Sequence, residues 1–331
     1  MNNNTNKTDY KLGAVFGAGR SGTTWLGSIL SSHPEVSYRF EPFHRLQRKN
    51  AEISKSIESI RSCNFSNKDL SYLYKTLLPA YPECEKPPFF YKKDCFNFGK
   101  KLIWPLSRKN SFCADIFTSI YTPKKQPMLI FKEVALVDLL IKLLEVGIPI
   151  VYIVRHPCAV VSSVMEGQKK MLMPDKRRSV LDSLLYKHQP ELWKQYKDRI
   201  NELEVCEQQA LLWLIDVETA LNACRNTSNS FVVLYEKLAK QPLEVSKKIF
   251  NHFRLEMTPQ SITFIEESTK NSSTSRIKTG EVGINSYFTV FRDSNFSCDR
   301  WKQEMPFEEQ AKVLKIVEGS NAFSLYAKDD L

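Results

Sequence analysis

Residues Gly17-Ala-Gly-Arg-Ser-Gly-Thr-Thr-Trp25 restrict the fold of this chain more than any other stretch. A short apolar strand, Leu12 to Phe16, runs into them, and Leu26, Ile29 and Leu30 mark one apolar side of the helix that leaves them. A glycine-rich turn between a strand and a helix N-terminus is a phosphate cradle. Free backbone N–H groups converge there with the positive end of the helix dipole. The spacing Gly17-x4-Gly22 fits a nucleotide-triphosphate loop, but such a loop places Lys and then Ser or Thr directly after the second glycine. This chain has Thr23 and Thr24 there, and its cation stands earlier, at Arg20. The loop can hold a phosphate yet lacks the lysine that would reach the β- and γ-phosphates.

The pattern beyond the loop predicts an α/β fold, P-loop-like and three-layered, with a central parallel sheet and helices on both faces. The first helix, over 23–32, ends at His33-Pro34, because proline disfavours helix at the residue before it. Val36 to Phe40 reads as a second strand and Met128 to Val134 as a third, followed by a helix through Leu139, Leu140, Leu143 and Leu144. Pro149 to Val154 is nearly all apolar, as a parallel strand covered on both faces should be. Helices are expected at about 158–166, 179–197, 205–224, 243–253 and 307–318, and a strand at Phe231 to Tyr235. Residues 1–10 are polar and read as disordered, leaving 11–331 as a single domain. Within it, 43–125 is irregular and rich in Lys, aromatic residues and Pro, the mark of helical and loop insertions.

The net charge of +10 suits an anionic ligand, with nucleic acid as the rival explanation. Against nucleic acid, there is no zinc spacing, RNA-binding aromatic motif or basic-region helix, and the lysines are scattered. The eight cysteines form no C-x-x-C pair, and Cys158, Cys206 and Cys224 fall in apolar helical patterns where a thiol simply packs. No His/Cys/Asp cluster has metal-ligand spacing, so no metal is expected. The N-terminus lacks an apolar h-region and no run of 18 apolar residues occurs, which predicts a soluble cytoplasmic protein without membrane insertion.

A second motif gives the loop its meaning. Val151-Tyr-Ile-Val-Arg-His-Pro157 is a strand running into Arg155, with Ser163 eight residues later in the following helix. Together with Arg20-Ser-Gly-Thr-Thr-Trp25, this resembles the sulfotransferases that use 3′-phosphoadenosine 5′-phosphosulfate (PAPS). Their 5′-phosphosulfate loop reads Lys/Arg-Ser-Gly-Thr-Thr-(Trp), and their 3′-phosphate strand ends in Arg-Asp-Pro before a helix with a serine at that separation. Val232-Val-Leu-Tyr-Glu-Lys-Leu238, followed by Gln241-Pro242, is similar to the family's Tyr-Glu-Asp-Leu…Pro stretch. The matches span residues 12 to 254 in family order. They are closest in style to carbohydrate and tyrosyl-protein sulfotransferases.

The resemblance implies a role for each matched residue. Arg20, Ser21, Gly22, Thr23 and Thr24 would hold the 5′-phosphosulfate, and Trp25, otherwise a core tryptophan, would stack on adenine. Arg155 and Ser163 would take the 3′-phosphate, although His156 replaces the family's aspartate. Tyr235 would reach adenine, and Arg276, with Lys278 and Gly280, corresponds to the family's C-terminal element on the 3′-phosphate. Lys132, in Phe131-Lys-Glu-Val134, matches a strand lysine that contacts the transferring group. Glu41 ends the strand after the first helix, 21 residues past Arg20, where tyrosyl-protein sulfotransferases place a glutamate; it is the expected base. Otherwise it is a turn carboxylate paired with Arg39 or Arg45. His44 is the rival base. Cytosolic small-molecule sulfotransferases instead carry a histidine two residues past the lysine, where this chain has Val134.

The implied reaction moves a sulfuryl group from PAPS to the hydroxyl of a carbohydrate or other small molecule and releases PAP. The insertions over 43–125 would lie on the acceptor side. The basic runs Lys169-Lys170…Lys176-Arg177-Arg178 and Lys100-Lys101…Arg108-Lys109 read first as solvated faces and second as attraction for an anionic acceptor. A nucleotide or sugar kinase is the alternative, but it wants a lysine after Gly22 and an aspartate ending a strand for Mg²⁺. A nucleotide-binding homologue that lost catalysis is the other, and the presence of both Glu41 and Lys132 argues against it.

Overall fold

Five strands form one parallel sheet in a computed structural model that describes residues 11–47, 51–62, 70–85, 95–173, 176–225, 227–269 and 294–327. They are β1 (Leu12–Gly17), β2 (Val36–Phe40), β3 (Met128–Lys132), β4 (Ile150–Val154) and β5 (Ser230–Leu234), in the order β2-β3-β1-β4-β5. The central strand is β1. The chain first winds to one side of it through β2 and β3, then crosses to β4 and β5. That reversal opens a crevice at the carboxyl ends of β1, β3 and β4, where open α/β sheets bind ligands. The register puts Val15 and Phe40 on either side of Lys132, and Gly17 opposite Ile153.

Alternation along the strands divides the core in two. Leu12, Ala14, Phe16, Leu129 and Phe131 face one hydrophobic cluster; Val15, Met128 and Ile130 face the other. Helix α1 (Thr23–Ser31) covers the second face. Between β2 and β3 come α2 (Pro42–Arg45), α3 (Ala51–Arg61), α4 (Leu70–Leu77), α5 (Cys95–Ser107) and α6 (Ser111–Tyr121). The first face is covered by α7 (Val137–Glu145) and α8 (Pro157–Lys169). Next are α9 (Leu181–His188), α10 (Pro190–Tyr196) and the long α11 (Val205–Arg225), which packs on α7 and α8. After β5 follow α12 (Tyr235–Lys240), α13 (Pro242–His252), α14 (Pro259–Thr269), α15 (Ser294–Glu304), α16 (Phe307–Val317) and α17 (Ser324–Ala327). Among the described residues no helix is long and apolar enough to cross a membrane.

Several elements differ from the sequence reading. The third strand stops at Lys132 rather than Val134, because Ala135 turns with φ of 56° and breaks the pleat. The single helix expected over 179–197 is a 3₁₀ turn, Arg178–Val180, and two helices. Gln189 leaves helical geometry (φ −141°, ψ 64°) ahead of Pro190, whose ring disfavours helix at the residue before it. Tyr235 opens α12 instead of ending β5. Helix α14 was not expected, although Thr258 at its start accepts from the Ser261 N–H at 3.3 Å and Pro259 sits in its first turn.

The edge strand β2 is clamped by a buried arginine. Arg39 donates to the carbonyl oxygens of Tyr38 and Leu77, both at 2.9 Å, of Pro79 at 3.1 Å, and of Leu78. It also donates to Glu85 Oε1 at 2.9 Å, and Lys100 reaches Glu85 Oε2 at 2.6 Å. The outward N–H of Phe40 donates to Cys84 at 2.9 Å. The segment 77–85 and helix α5 are thereby tied to the sheet. Removing one partner of a buried ion pair leaves an uncompensated charge. Glu85→Ala is expected to destabilise the fold by about 3 kcal/mol, seen as a lower denaturant midpoint at unchanged m-value.

Candidate active site

The loop after β1 is held by contacts that its glycines permit. A Cβ on Gly17 would meet the Ile153 carbonyl oxygen at 2.7 Å, so only glycine lets β1 lie this close to β4. Gly22, the N-cap of α1, has φ of 91°, and a Cβ there would stand 2.4 Å from the Tyr235 ring. Gly22 brings no capping side chain, which leaves first-turn N–H groups of α1 to a ligand. Ser21 is fully buried, and its hydroxyl has no hydrogen-bond partner among the described residues. A buried, unanswered hydroxyl in a ring of amide donors fits an anionic group well.

Arg20 adopts the left-handed region at φ 71°, an uncommon conformation for a side-chain-bearing residue. Bonds to β4 and α8 help to hold it there. Its carbonyl accepts from Arg155 Nη1 at 3.1 Å, and its Nε donates to Ser163 Oγ at 3.0 Å. Arg155 follows β4 and Ser163 lies in α8, so the two sequence motifs meet in space. The Arg155 guanidinium also lies over the Tyr235 ring, 4.5 Å from its centroid. Tyr235 meets Trp25 edge-on at 5.8 Å, and the Trp25 indole N–H donates to Ser268 at 3.0 Å. Both aromatics are buried. Trp25 is therefore packed in the core rather than presenting an open stacking face. Arg276, Lys278 and Gly280 lie outside the described residues.

His156, in place of the expected aspartate, stacks on Trp301 with centroids 4.4 Å apart and meets Tyr326 and Phe323 edge-on. Burial, with the charges of Lys302 and Arg155, pushes its pKa down to about 4, so it stays neutral. The carboxylate nearby is Glu236, one residue into α12, which accepts the His156 backbone N–H at 3.0 Å. Burial raises its pKa, and the Arg155 charge acts in the opposite direction. Sequence reasoning passed Glu236 over, although it sits inside the Tyr-Glu-Lys-Leu match.

The ends of β2 and β3 are joined twice. The Glu41 N–H donates to the Lys132 carbonyl at 2.9 Å, and Glu41 then turns through φ 49° into α2. Its carboxylate pairs with Lys132 and, at 3.4 Å, with Arg45. Lys132 is only 2% exposed, and its ammonium lies 4.4 Å from the Phe40 ring centroid. Burial alone would raise the Glu41 pKa. The Lys132 charge and hydrogen bond, helped by Arg45 and His44, outweigh it and hold the group at about 2. The second link is His44 Nδ1 to Glu133 Oε2, at 2.5 Å. Glu133 was not among the expected site residues.

A cavity of about 160 Å³ lies past the ends of β1 and β3, against α8 and α11. Ala18 and Gly19 of the loop, Val134 and Ala135 past β3, Val164 of α8 and Trp213 of α11 line it. Arg177 and Asp216 form its charged side as a bidentate pair at 2.7 and 2.8 Å. Arg177 belongs to a run expected to be a solvated face; instead the buried Asp216 answers its charge.

The sulfotransferase domain family model matches residues 14–324. No curated protein sequence matches the chain. Among solved structures, the chain is similar to the sulfotransferase domain from the curacin biosynthetic pathway, at 14% identity over 97% of this chain and 98% of that one, with a TM-score of 0.47. It is also similar to the sulfotransferase domain of the Synechococcus PCC 7002 olefin synthase, at 18% identity, 97% and 96% coverage and a TM-score of 0.48. A third is mouse sulfotransferase SULT7A1 complexed with PAP, at 12% identity, 96% and 88% coverage and a TM-score of 0.46.

The Glu41–Lys132 pair makes stability depend on acid in a defined window. A carboxylate whose pKa falls from 4.5 to about 2 on folding contributes stability above about pH 5 and loses it as pH drops through 2. Glu41→Gln is expected to unfold more easily than wild type at pH 7, with the gap closing between about pH 5 and pH 2. Denaturant unfolding across that range measures it; a gap independent of pH would mean the two charges are not coupled.

Proposed function

The chain belongs to the sulfotransferase domain family, and from that premise we propose that it moves a sulfuryl group from PAPS to the hydroxyl of a small, largely apolar acceptor. The observation that carries the donor assignment is the meeting of Arg20, Arg155 and Ser163 beside the N-terminus of α1. First-turn N–H groups, the Ser21, Thr23 and Thr24 hydroxyls and Arg20 would hold the 5′-phosphosulfate. Arg155 and Ser163 would hold the 3′-phosphate, with Arg276 completing that end. Tyr235 and Trp25 would form the adenine side, through the edge of their packed pair rather than an open face.

Sulfuryl transfer asks for in-line placement, charge stabilisation on the departing phosphate, and a group to take the hydroxyl proton. Arg20 and Lys132 supply positive charge at the sulfuryl group in this reading. Lys132 is held in reserve by Glu41 and exchanges that carboxylate for the donor's oxygens. The proton goes to the end of β2, where Glu41 is the sequence-favoured base and His44 its rival.

The support for an apolar acceptor is the cavity beside Gly19 and Val134. Its walls are mainly aliphatic, with Trp213; Gln168 and Gln209 are its neutral polar groups, and its one charged pair is internally neutralised. A sugar's many hydroxyls would outnumber these partners, and burying the rest unanswered is costly. An anionic glycan has less support still, since Arg177 is already engaged by Asp216.

Two measurements test this. By calorimetry, PAP should bind without added metal, ATP should bind far more weakly for want of a 3′-phosphate, and Arg155→Ala should weaken PAP by about 2–4 kcal/mol. Equal affinity for ATP and PAP would point to a kinase instead. With labelled PAPS, 4-nitrophenol and 1-hexanol should accept sulfate faster than glucose or glucuronate; faster transfer to the sugars would remove the cavity from the acceptor site.

A further inference from the structure

His44 lies three residues past Glu41, and its ring is fixed from outside its own helix. Nδ1 stands 2.5 Å from Glu133 Oε2, while Glu133 Oε1 accepts the Phe43 backbone N–H at 2.7 Å. Both carboxylate oxygens are thus committed, and Glu133 is completely buried. The His44 side chain is 38% exposed, and Nε2 makes no hydrogen bond among the described residues. A carboxylate on one ring nitrogen decides the tautomer. Nδ1 carries the proton and donates to Glu133, which leaves the Nε2 lone pair unengaged among the described residues. This is the orienting half of a hydrolase triad, set one residue past Lys132.

The neighbouring carboxylate is arranged for a different task. Glu41 is bound by Lys132 and Arg45, and the cations that keep it ionised also make it a poor proton acceptor. Glu133 meets no lysine or arginine among the described residues; its partners are His44 and an amide. A buried carboxylate with that surrounding is best stabilised by a donor that can become a cation, and imidazole is one.

We propose that His44 takes the acceptor's hydroxyl proton through Nε2, with Glu133 as the positioning residue that aims the ring and stabilises the imidazolium. The proposal rests on the sulfotransfer reading. As the proton passes to Nε2, the hydroxyl oxygen forms its bond to sulfur. The bond from sulfur to the bridging oxygen breaks, and its electron pair leaves with PAP. Nothing is oxidised or reduced. Glu41 is the counter-ion that Lys132 keeps until the donor's oxygens replace it, and Arg45 stays paired with it afterwards.

The test compares two acceptors of unlike acidity. The hydroxyl of 4-nitrophenol ionises near neutral pH unaided, whereas that of 1-hexanol must surrender its proton to a base. His44→Ala should lower kcat with 1-hexanol by about 10²–10⁴-fold, with a much smaller loss for 4-nitrophenol and unchanged PAP affinity. Added imidazole should restore part of the 1-hexanol rate. Glu133→Gln keeps the Phe43 bond but offers the ring an amide, so kcat for 1-hexanol should fall by about 10²-fold or more at near-constant KM. An equal loss for both acceptors, or normal turnover in His44→Ala with a dead Glu41→Gln, overturns the dyad while leaving sulfotransfer standing. A wild-type protein that transfers no sulfuryl group from PAPS to either acceptor overturns the functional reading and the dyad with it.

Discussion

Lys132 carries a positive charge at the end of a strand with almost none of its surface in water, and a charge so placed must be answered. Much of the site follows from the answer. Glu41 leaves β2 in a left-handed conformation that brings its carboxylate onto Lys132, and the same turn starts α2 at once. Arg45 and His44 arrive with that helix. One buried ammonium therefore accounts for the backbone at the end of β2, for the ionised state of Glu41 and for the place of His44. In the reading proposed above, the arrangement is also a store of charge, since the ammonium can change partners when an anion enters.

The loop after β1 obeys a similar logic with opposite signs. Two guanidinium groups converge near a helix N-terminus, a combination that favours an anion over any neutral ligand. Arg20 would resist its left-handed backbone alone, but the Arg155 bond to its carbonyl and its own bond to Ser163 fasten the loop to β4 and α8. Tyr235, pressed between Gly22 and Arg155, adds a third wall from the far edge of the sheet. Loop shape and arginine placement are thus one problem rather than two.

The glycine loop, the strand into Arg155 and the serine eight residues later were legible because each is local, with backbone demands that only a few residue types meet. Glu41 and Lys132 were legible one at a time; that they pair depends on Phe40 and Lys132 being neighbours in the register, which no single segment encodes. Glu133 was missed for the same reason, since its partner is 89 residues away in the chain. Charge runs misled in the case of Arg177, because composition cannot tell a solvated arginine from one answered by a buried aspartate. Apolar periodicity continues across Pro190 while the helix does not, because the proline ring stops it at Gln189 as Pro34 stops α1 near His33.

The clamp on β2 has a consequence for how copies of this chain meet. An exposed edge strand is an invitation to pair with another sheet. Here the outward N–H of Phe40 is taken by Cys84, and the carbonyl groups nearby are drawn onto a buried guanidinium. Among the described residues, the Phe40 N–H and the Tyr38 carbonyl at that end of β2 are both already engaged. The strand that ends in Glu41 thus offers a neighbouring chain fewer groups to pair with at that end, which works against templated addition of one copy's sheet to another's.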